Sequence, residues 1–274
     1  MTAISMASPL YILRDRCQED LRGVLTRLKG LGFDGVEFLG LFGHSFQEVA
    51  AWLQELDLQP LGDHVPLAKL EAEPGLLEAY ARLGCRYLTV ADVPMEELLG
   101  QERKLFDRLD RLMERAKDLG LRLQYHNHAQ ELLRKRDGVE ALEILMAGMA
   151  PKGLCLEIDL GWLEIGGGDC EAYLRRYRDN CPVIHLKDYF ATDLARLGDV
   201  NDFLPQRGGP ERGCFEFRPT GFGVLNLPKL LPLCLDCRPE WFVMDHDLSY
   251  ERDPYEDLGW SLDYVRRLLA CCGR

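Results

Sequence analysis

A helical pattern that ends at a glycine and is followed at once by a strand pattern recurs along the chain. The junctions are Leu31-Gly32-Phe33, Leu83-Gly84-Cys85 and Leu119-Gly120-Leu121, and Leu56-Asp57-Leu58 occupies an equivalent place without glycine. Glycine adopts the left-handed conformation that ends a helix at little cost, so these positions are typical of C-terminal helix caps. A repeated helix–strand unit predicts parallel strands joined by helices.

Eight short segments rich in Val, Ile, Leu and aromatic residues fit strands between these helices. They lie at about residues 3–7, 35–39, 59–64, 87–91, 122–127, 154–159, 183–187 and 241–245. A chain of 274 residues could form two domains, but about 250 residues also suffice for one (β/α)₈ barrel. An open doubly wound sheet often has a glycine-rich loop after its first strand, and none follows here. We therefore predict an α/β fold, a single TIM-barrel domain over residues 1–274.

One connection departs from this regular spacing. After Lys187, helical spacing does not resume until about Leu227, and glycines are frequent between them. A connection of this length is usually functional or disordered. In a barrel it lies at the catalytic face, so we predict a long βα loop at about residues 189–223 that acts as a lid.

The composition narrows the classes of function. Lys and Arg number 33 and Asp and Glu 45, which gives a formal net charge of −12. An acidic surface repels phosphate backbones, so we expect no nucleic-acid partner. Without an apolar run of about 18 residues, we expect no membrane partner. Ten scattered cysteines and no recognisable secretion signal favour reduced thiols, and we expect a cytoplasmic protein.

Polar residues collect where the later predicted strands end. Four segments share this feature: Tyr125-His126-Asn127-His128, Glu157-Ile158-Asp159, His185-Leu186-Lys187-Asp188 and Asp245-His246-Asp247. Residues i and i+2 face the same side of a strand, and the C-terminal ends of barrel strands face the active site. The sequence therefore predicts one cluster of imidazoles and carboxylates. Such a cluster suits Mn²⁺, Co²⁺, Zn²⁺ or Fe²⁺, and Mg²⁺ less well.

These segments, in this order and spacing, resemble the sugar phosphate isomerase/epimerase family, whose members have a xylose isomerase-like TIM barrel. Gly32-Phe33-Asp34-Gly35-Val36-Glu37-Phe38 and Gly221-Phe222-Gly223 add to the likeness, which extends over nearly the whole chain. The Tyr-His-Asn-His segment is similar to that of a His-Asn-His subgroup. The resemblance implies one divalent metal ion (Mn, Co, Zn, Fe or Mg) held by ligands from strands five to eight.

Position by position, the resemblance implies four metal ligands: His126, Asp159, His185 and Asp245. Asp245 stands where the family usually has a glutamate, and it is one methylene shorter. His126 stands where many relatives have their first glutamate ligand, so either His126 or Glu131 is the first ligand. The family's glutamate in the Gly-x-Gly segment is Phe222 here. These differences leave the family's mechanism with two glutamates open.

The resemblance also implies removal of a proton beside a carbonyl, with an enediolate stabilised by the metal ion. We predict Glu131 as the base, and Lys187 as the group that protonates or stabilises an oxygen. The predicted substrate contacts are Glu37, His64, His128, Trp162 and Asp247. Simpler alternatives are a salt bridge for Lys187, packing for Trp162 and a structural hydrogen bond for Glu37.

The leading hypothesis is a metal-dependent isomerase or epimerase of a small sugar, sugar phosphate or keto-polyol. An inosose dehydratase-like lyase shares the enediolate and then expels a β-hydroxyl. A non-catalytic sugar-binding protein or partner subunit also stays open, because His126, Phe222 and Asp245 replace family glutamates. A DNA-repair nuclease would need a basic groove, against which the net charge of −12 argues. The substrate and the formation of a homo-oligomer stay open.

Overall fold

Eight parallel strands form the centre of the computed structural model, which describes residues 4–90, 92–192 and 215–273. The strands are Ser5–Pro9 (β1), Gly35–Phe38 (β2), Gln59–Asp63 (β3), Tyr87–Val90 (β4), Arg122–His126 (β5), Cys155–Asp159 (β6), Val183–His185 (β7) and Trp241–Val243 (β8). Their order in the sheet is β3-β2-β1-β8-β7-β6-β5-β4. A parallel bridge between His64 and Thr89 brings the two edge strands together. The predicted barrel and its eight strands are confirmed.

Helices follow the strands and surround the barrel. Their bounds are Arg14–Leu31, Phe46–Leu56, Leu67–Ala72, Leu76–Leu83, Met95–Gly100, Glu102–Asp118, Gln130–Leu133, Ala141–Met149, Leu160–Ile165, Cys170–Arg176, Leu227–Asp236 and Pro254–Cys271, with 3₁₀ turns at Tyr11–Leu13 and Ala150–Lys152. At the predicted junctions the backbone is left-handed, with φ of 98° at Gly32, 94° at Gly84, 77° at Gly120 and 51° at Asp57. The sequence signal for helix ends is therefore confirmed, including the junction that lacks glycine.

The interior of the barrel changes from apolar to polar along the strands. An apolar cluster from five strands fills the lower part: Ala7, Leu61, Tyr87, Val183, Trp241 and Val243. Two residues further along β7 comes His185, and two residues beyond Val243 comes Asp245, both buried. Because side chains alternate along a strand, these polar groups stand directly above the apolar layer. The fold thus places an apolar layer beneath the polar end of the barrel.

The connection after β7 contains an antiparallel ribbon that the sequence did not predict. Asp188–Ala191 pairs with Phe215–Arg218, while residues 193–214 of the predicted 189–223 loop lie outside the described residues. The Asp188 carboxylate accepts hydrogen bonds from four backbone N–H groups, those of Tyr189, Gly221, Gly223 and Leu225. This one carboxylate joins both ends of the connection. A second short ribbon pairs Lys135–Arg136 with Val139–Glu140.

Nine of the cysteines lie in the described part of the chain, and all nine are free thiols. Seven are buried, and Cys271 and Cys272 at the end of the last helix are exposed. Within the same described residues, every helix is too short or too polar to cross a bilayer.

Replacement of Gly35 by alanine tests the packing of the barrel. A Cβ at Gly35 would lie 2.5 Å from the Gln59 carbonyl oxygen and 2.7 Å from the Trp241 ring. We expect Gly35→Ala to lower the free energy of unfolding by about 1–3 kcal/mol because the backbone must shift. Gly30→Ala, at an exposed position near the end of the helix Arg14–Leu31 where an added Cβ has no atom within 4 Å, should raise it by about 0.5–1 kcal/mol. Urea denaturation measures both, and equal effects would contradict this account.

Candidate metal centre and substrate cavity

A cavity of about 350 Å³ opens at the C-terminal end of the barrel. Its walls are formed by Pro9, Tyr11, Glu37, Phe38, Leu39, His64, Pro66, Asp92, His126, His128, Trp162, His185, Lys187, Asp245 and Asp247. Nine of the eleven residues predicted for the site are among them, and Asp159 and Glu131 are not. Most of the residues predicted for the site therefore line the same cavity.

Four buried side chains at the ends of β5 to β8 form what we call the upper group: His126, Asp159, His185 and Asp245. Each offers a nitrogen or oxygen atom, and these atoms lie within 4.8 Å of one another. The register explains this, because Asp159 of β6 is paired with His185 of β7. Asp159 reaches the group from behind the cavity wall. The structure thus brings together the four residues predicted as ligands, with His126 and not Glu131 in the group.

The atoms of the upper group fit a divalent cation. Asp159 Oδ2 and Asp245 Oδ1 are buried without a hydrogen-bond partner. Such atoms cost free energy unless something else pairs with them. His126 Nδ1 and His185 Nε2 face the carboxylates of Glu157 and Glu37 at 3.3 and 3.2 Å. The other oxygen of Asp159 accepts a 2.8 Å hydrogen bond from the Trp162 N–H, which holds the carboxylate in place. Imidazole nitrogens and carboxylate oxygens with free lone pairs are suitable metal donors.

Lys187 is buried among three carboxylates. Its Nζ lies 2.5 Å from Asp247 Oδ1, 3.0 Å from Asp245 Oδ2 and 3.7 Å from Asp159 Oδ2. Burial disfavours the ammonium form, but these carboxylates outweigh it and raise the pKa of Lys187 above its ordinary value. Lys187 is therefore a fixed positive charge on the cavity wall. Lys187 therefore forms the salt bridge that was the simpler alternative, and it also lines the cavity.

A second set of donors, which we call the lower group, lies beside the first: His64, His126, Glu157 and His185. His64 Nε2 lies 2.9 Å from Glu157 Oε2 and 3.2 Å from Glu37 Oε2. Burial opposes the imidazolium, but Glu37 and Glu157 raise the pKa of His64 to about 10. Glu157 belongs to a segment predicted at this cluster, but the sequence analysis gave it no role. Its position two residues before Asp159, on the same side of β6, places it with the other donors.

His128 and Trp162 form part of the cavity wall. Their ring centroids are 5.7 Å apart, and Lys187 Nζ lies 5.3 Å from the Trp162 ring. Burial, together with the Lys187 charge, lowers the pKa of His128 to about 3, so this imidazole is neutral at pH 7. Trp162 also contacts Phe217 of the ribbon. Trp162 therefore packs against the ribbon and also lines the cavity.

Glu131 does not reach the cavity. The Tyr125 hydroxyl donates a 2.7 Å hydrogen bond to Glu131 Oε1, and the His128 N–H donates one of 2.8 Å to Oε2. Tyr125 alternates with His126 along β5, so it faces the helices and draws the carboxylate to that side. The structure thus places Glu131, predicted as the base or as the first ligand, outside both the cavity lining and the upper group. Its contacts fix the backbone that positions His128.

Several residues that line the cavity could not be recognised from the sequence as site residues. Tyr11 belongs to a 3₁₀ turn after β1, and Pro9, Phe38 and Pro66 look like ordinary core residues. Asp92 follows β4, which lacks the polar pairs of the later strands. Only closure of the barrel places these residues opposite the predicted ones.

Glu131→Gln tests the structural role of Glu131. Burial raises the pKa of Glu131 from 4.5 to about 7, so the folded protein binds more protons than the unfolded chain between these values. The free energy of unfolding should therefore fall by about 3 kcal/mol as the pH rises from 4.5 past 7, because Glu131 loses its proton in the folded protein. Glutamine cannot ionise, so the variant should lack this pH-dependent decrease. Urea denaturation at several pH values measures the free energy of unfolding of both proteins. Parallel pH profiles for variant and wild type would refute the assignment.

Comparison with known proteins supports the same architecture. The family model of the xylose isomerase-like TIM barrel matches residues 25–244. An inosose dehydratase of Geobacillus kaustophilus (strain HTA426) is 25% identical over 278 residues, covering 90% of this chain and 86% of that protein.

Solved structures at lower identity share the fold. A sugar phosphate isomerase/epimerase from Parabacteroides distasonis ATCC 8503 has a TM-score of 0.73 at 17% identity, with 96% of this chain and 94% of that chain covered. The 3-keto-D-glucoside 4-epimerase YcjR from E. coli has a TM-score of 0.67 at 18% identity, with 97% and 100% covered. The probable 3-DHS dehydratase AsbF from Bacillus anthracis has a TM-score of 0.74 at 12% identity, with 96% and 99% covered. With its family model matched over most of the barrel, this chain belongs to the xylose isomerase-like TIM barrel family.

Proposed function

We propose that this chain is a divalent-metal-dependent enzyme that isomerises or epimerises a small sugar or keto-polyol through an enediolate. The observation that carries the proposal is the upper group, whose buried donor atoms lie within 4.8 Å of one another and include three residues that line the cavity, His126, His185 and Asp245. Membership of the family and the epimerase among the similar structures support the reaction class.

The four residues of the upper group would hold the ion, with Mn²⁺, Co²⁺, Zn²⁺ and Fe²⁺ favoured over Mg²⁺ by the mixed donors. When bound, a divalent ion supplies Lewis acidity toward the carbonyl and hydroxyl oxygens of the substrate. Asp245 is shorter than the family's glutamate, yet its Oδ2 lies 2.9 Å from His185 Nδ1. The shorter side chain therefore still reaches the group.

Lys187 would stabilise negative charge on a substrate oxygen. Its pKa is raised by the surrounding carboxylates, so the ammonium keeps its proton at neutral pH. A buried, fixed ammonium on the cavity wall lowers the energy of an oxyanion by electrostatic attraction, without giving up the proton. Of the two roles predicted for Lys187, we propose stabilisation.

Asp247 would move the proton in place of Glu131. It lines the cavity beside Lys187. Burial raises its pKa, as does the Asp245 carboxylate, while Lys187 opposes the change. A base works best when its pKa lies close to the pH at which it acts. Glu37 also lines the cavity, but although burial opposes the change, His64 and His185 lower its pKa, which makes it a weaker base.

The cavity wall would bind the sugar. Trp162 and Phe38 offer apolar surface to the carbon side of a sugar ring, and the neutral His128 imidazole can donate to and accept from hydroxyl groups. Glu37 and His64 are further proposed contacts at the floor. These assignments keep the substrate contacts predicted from the sequence, apart from the new role of Asp247.

A dehydratase is the second candidate because of the inosose dehydratase that is 25% identical over 90% of this chain. The same residues would form the same enediolate, which would then lose a β-hydroxyl as water. Proton NMR in D₂O, with Mn²⁺-reconstituted protein and a panel of keto sugars and keto-polyols, separates the candidates. Deuterium entering beside the carbonyl without loss of water supports the isomerase or epimerase. A dehydrated product supports the lyase, and neither result, with sugar binding retained, supports a non-catalytic binder.

Asp247→Asn tests the assignment of the base. The amide keeps the shape of the side chain but cannot accept the proton, so we expect kcat to fall by about 10²–10⁴-fold with a small change in KM. Metal content should stay at the wild-type value, which elemental analysis checks. Unchanged deuterium exchange in the variant would exclude Asp247 as the base.

A further inference from the structure

Asn127 stands between two histidines of the site and is fully buried, but it is not among the residues that line the cavity. Its carboxamide forms two hydrogen bonds with the backbone of Asp159. The Asp159 N–H donates one of 2.9 Å to Asn127 Oδ1, and Asn127 Nδ2 donates one of 3.2 Å to the Asp159 carbonyl oxygen. A single side chain thus pairs with both backbone groups of a member of the upper group.

These hydrogen bonds continue the contact between β5 and β6 beyond the last backbone pair of the two strands. That pair joins His126 to Glu157, and β5 ends there. Asp159 lies two residues further along β6 and is fully buried. A buried backbone N–H needs a partner, and the carboxamide of Asn127 supplies the one that a longer β5 would have offered.

The two hydrogen bonds also bear on the separation of two proposed metal donors. His126 directly precedes Asn127, and its Nε2 lies 3.8 Å from Asp159 Oδ2. Donors at about 2.0–2.2 Å from one ion are at most about 4.4 Å apart, so these two atoms are within reach of a single ion. The Trp162 N–H fixes the Asp159 carboxylate relative to its own helix. The bonds to Asn127 fix the backbone of Asp159 relative to β5, which carries the other donor.

We propose that Asn127 is a positioning residue of the metal site, and that its carboxamide sets the separation between the His126 and Asp159 donors. This inference rests on the ion of the proposed function. Asn127 acts through its neighbours, because it does not line the cavity and its carboxamide is engaged by the Asp159 backbone.

The same contact holds a part of the cavity wall. His126 and His128 flank Asn127, both line the cavity, and their ring centroids are 4.9 Å apart. Since β5 ends at His126, the backbone of the next two residues lies beyond the strand. The bonds from Asn127 to Asp159 hold this backbone on one side, and the bond from the His128 N–H to Glu131 holds it further along. An asparagine between the two histidines therefore serves both the proposed ion and the wall.

Binding of Co²⁺ tests the positioning role. The full chain would be stripped of metal with a chelator and titrated with Co²⁺, whose visible absorption spectrum reports the geometry of its ligands. We expect Asn127→Ala to raise the Kd for Co²⁺ by about 10–100-fold and to shift the spectrum, because the His126 and Asp159 donors no longer keep their separation. Asn127→Ser replaces this variant if it does not fold, because the hydroxyl leaves room for a water molecule that can pair with the Asp159 backbone.

Asn180→Ala is the matched control. The Asn180 carboxamide donates a 2.7 Å hydrogen bond to the Leu154 carbonyl oxygen, at the opposite end of β6 from Asp159. Both variants therefore remove an asparagine side chain that pairs with the backbone at an end of the same strand. We expect both to lower the midpoint of urea denaturation, whereas Asn180→Ala should keep the wild-type Kd and spectrum. Circular dichroism shows which variants are folded.

The outcomes separate this inference from the proposed function. A wild-type Kd and spectrum in Asn127→Ala would overturn the positioning role and leave the proposed function standing, and so would equal losses of affinity in the two asparagine variants. Failure of the proposed metal site is visible without either variant. A wild-type chain that binds no Co²⁺, or Asp159→Asn that binds it as tightly as the wild type, would contradict that site and overturn this inference with it.

Discussion

The concentration of carboxylates at one end of the barrel is the constraint on which the site depends. Parallel strands all end at the same rim, so a carboxylate placed after each of several strands meets its neighbours inside the barrel. Lys187 pairs with Asp245 and Asp247, and the imidazoles of His64, His126 and His185 stand between the others. The order of the strands thereby decides which buried charges must offset one another, and in the proposed function a divalent ion would offset part of the negative charge.

Much of the site follows from the sequence because it lies on strands. Alternation places Glu157 with Asp159 and His185 with Lys187, and a parallel sheet has a single C-terminal rim. Strand alternation could not predict the position of Glu131, since this residue belongs to the short helix Gln130–Leu133 and the direction of its side chain depends on Tyr125. The ribbon after β7 could not be predicted from the sequence either, because its pairing joins segments that are distant along the chain.

Asp159 joins the fold to the site. One carboxylate oxygen caps the helix that begins at Leu160, and the other points toward the upper group. A cap limits the rotation of its side chain, so the donor is positioned before any ligand arrives. The proposed metal site is in this sense preorganised by a local hydrogen bond, which lowers the conformational cost of binding.

The Asp188 carboxylate, with its four backbone partners, also bears on the cavity. It follows Lys187 directly and closes the base of the connection at Gly221, Gly223 and Leu225. Lys187 is thus attached to backbone that hydrogen bonds from both ends of the connection hold in place. The ammonium on the cavity wall therefore owes part of its position to a carboxylate that does not itself line the cavity.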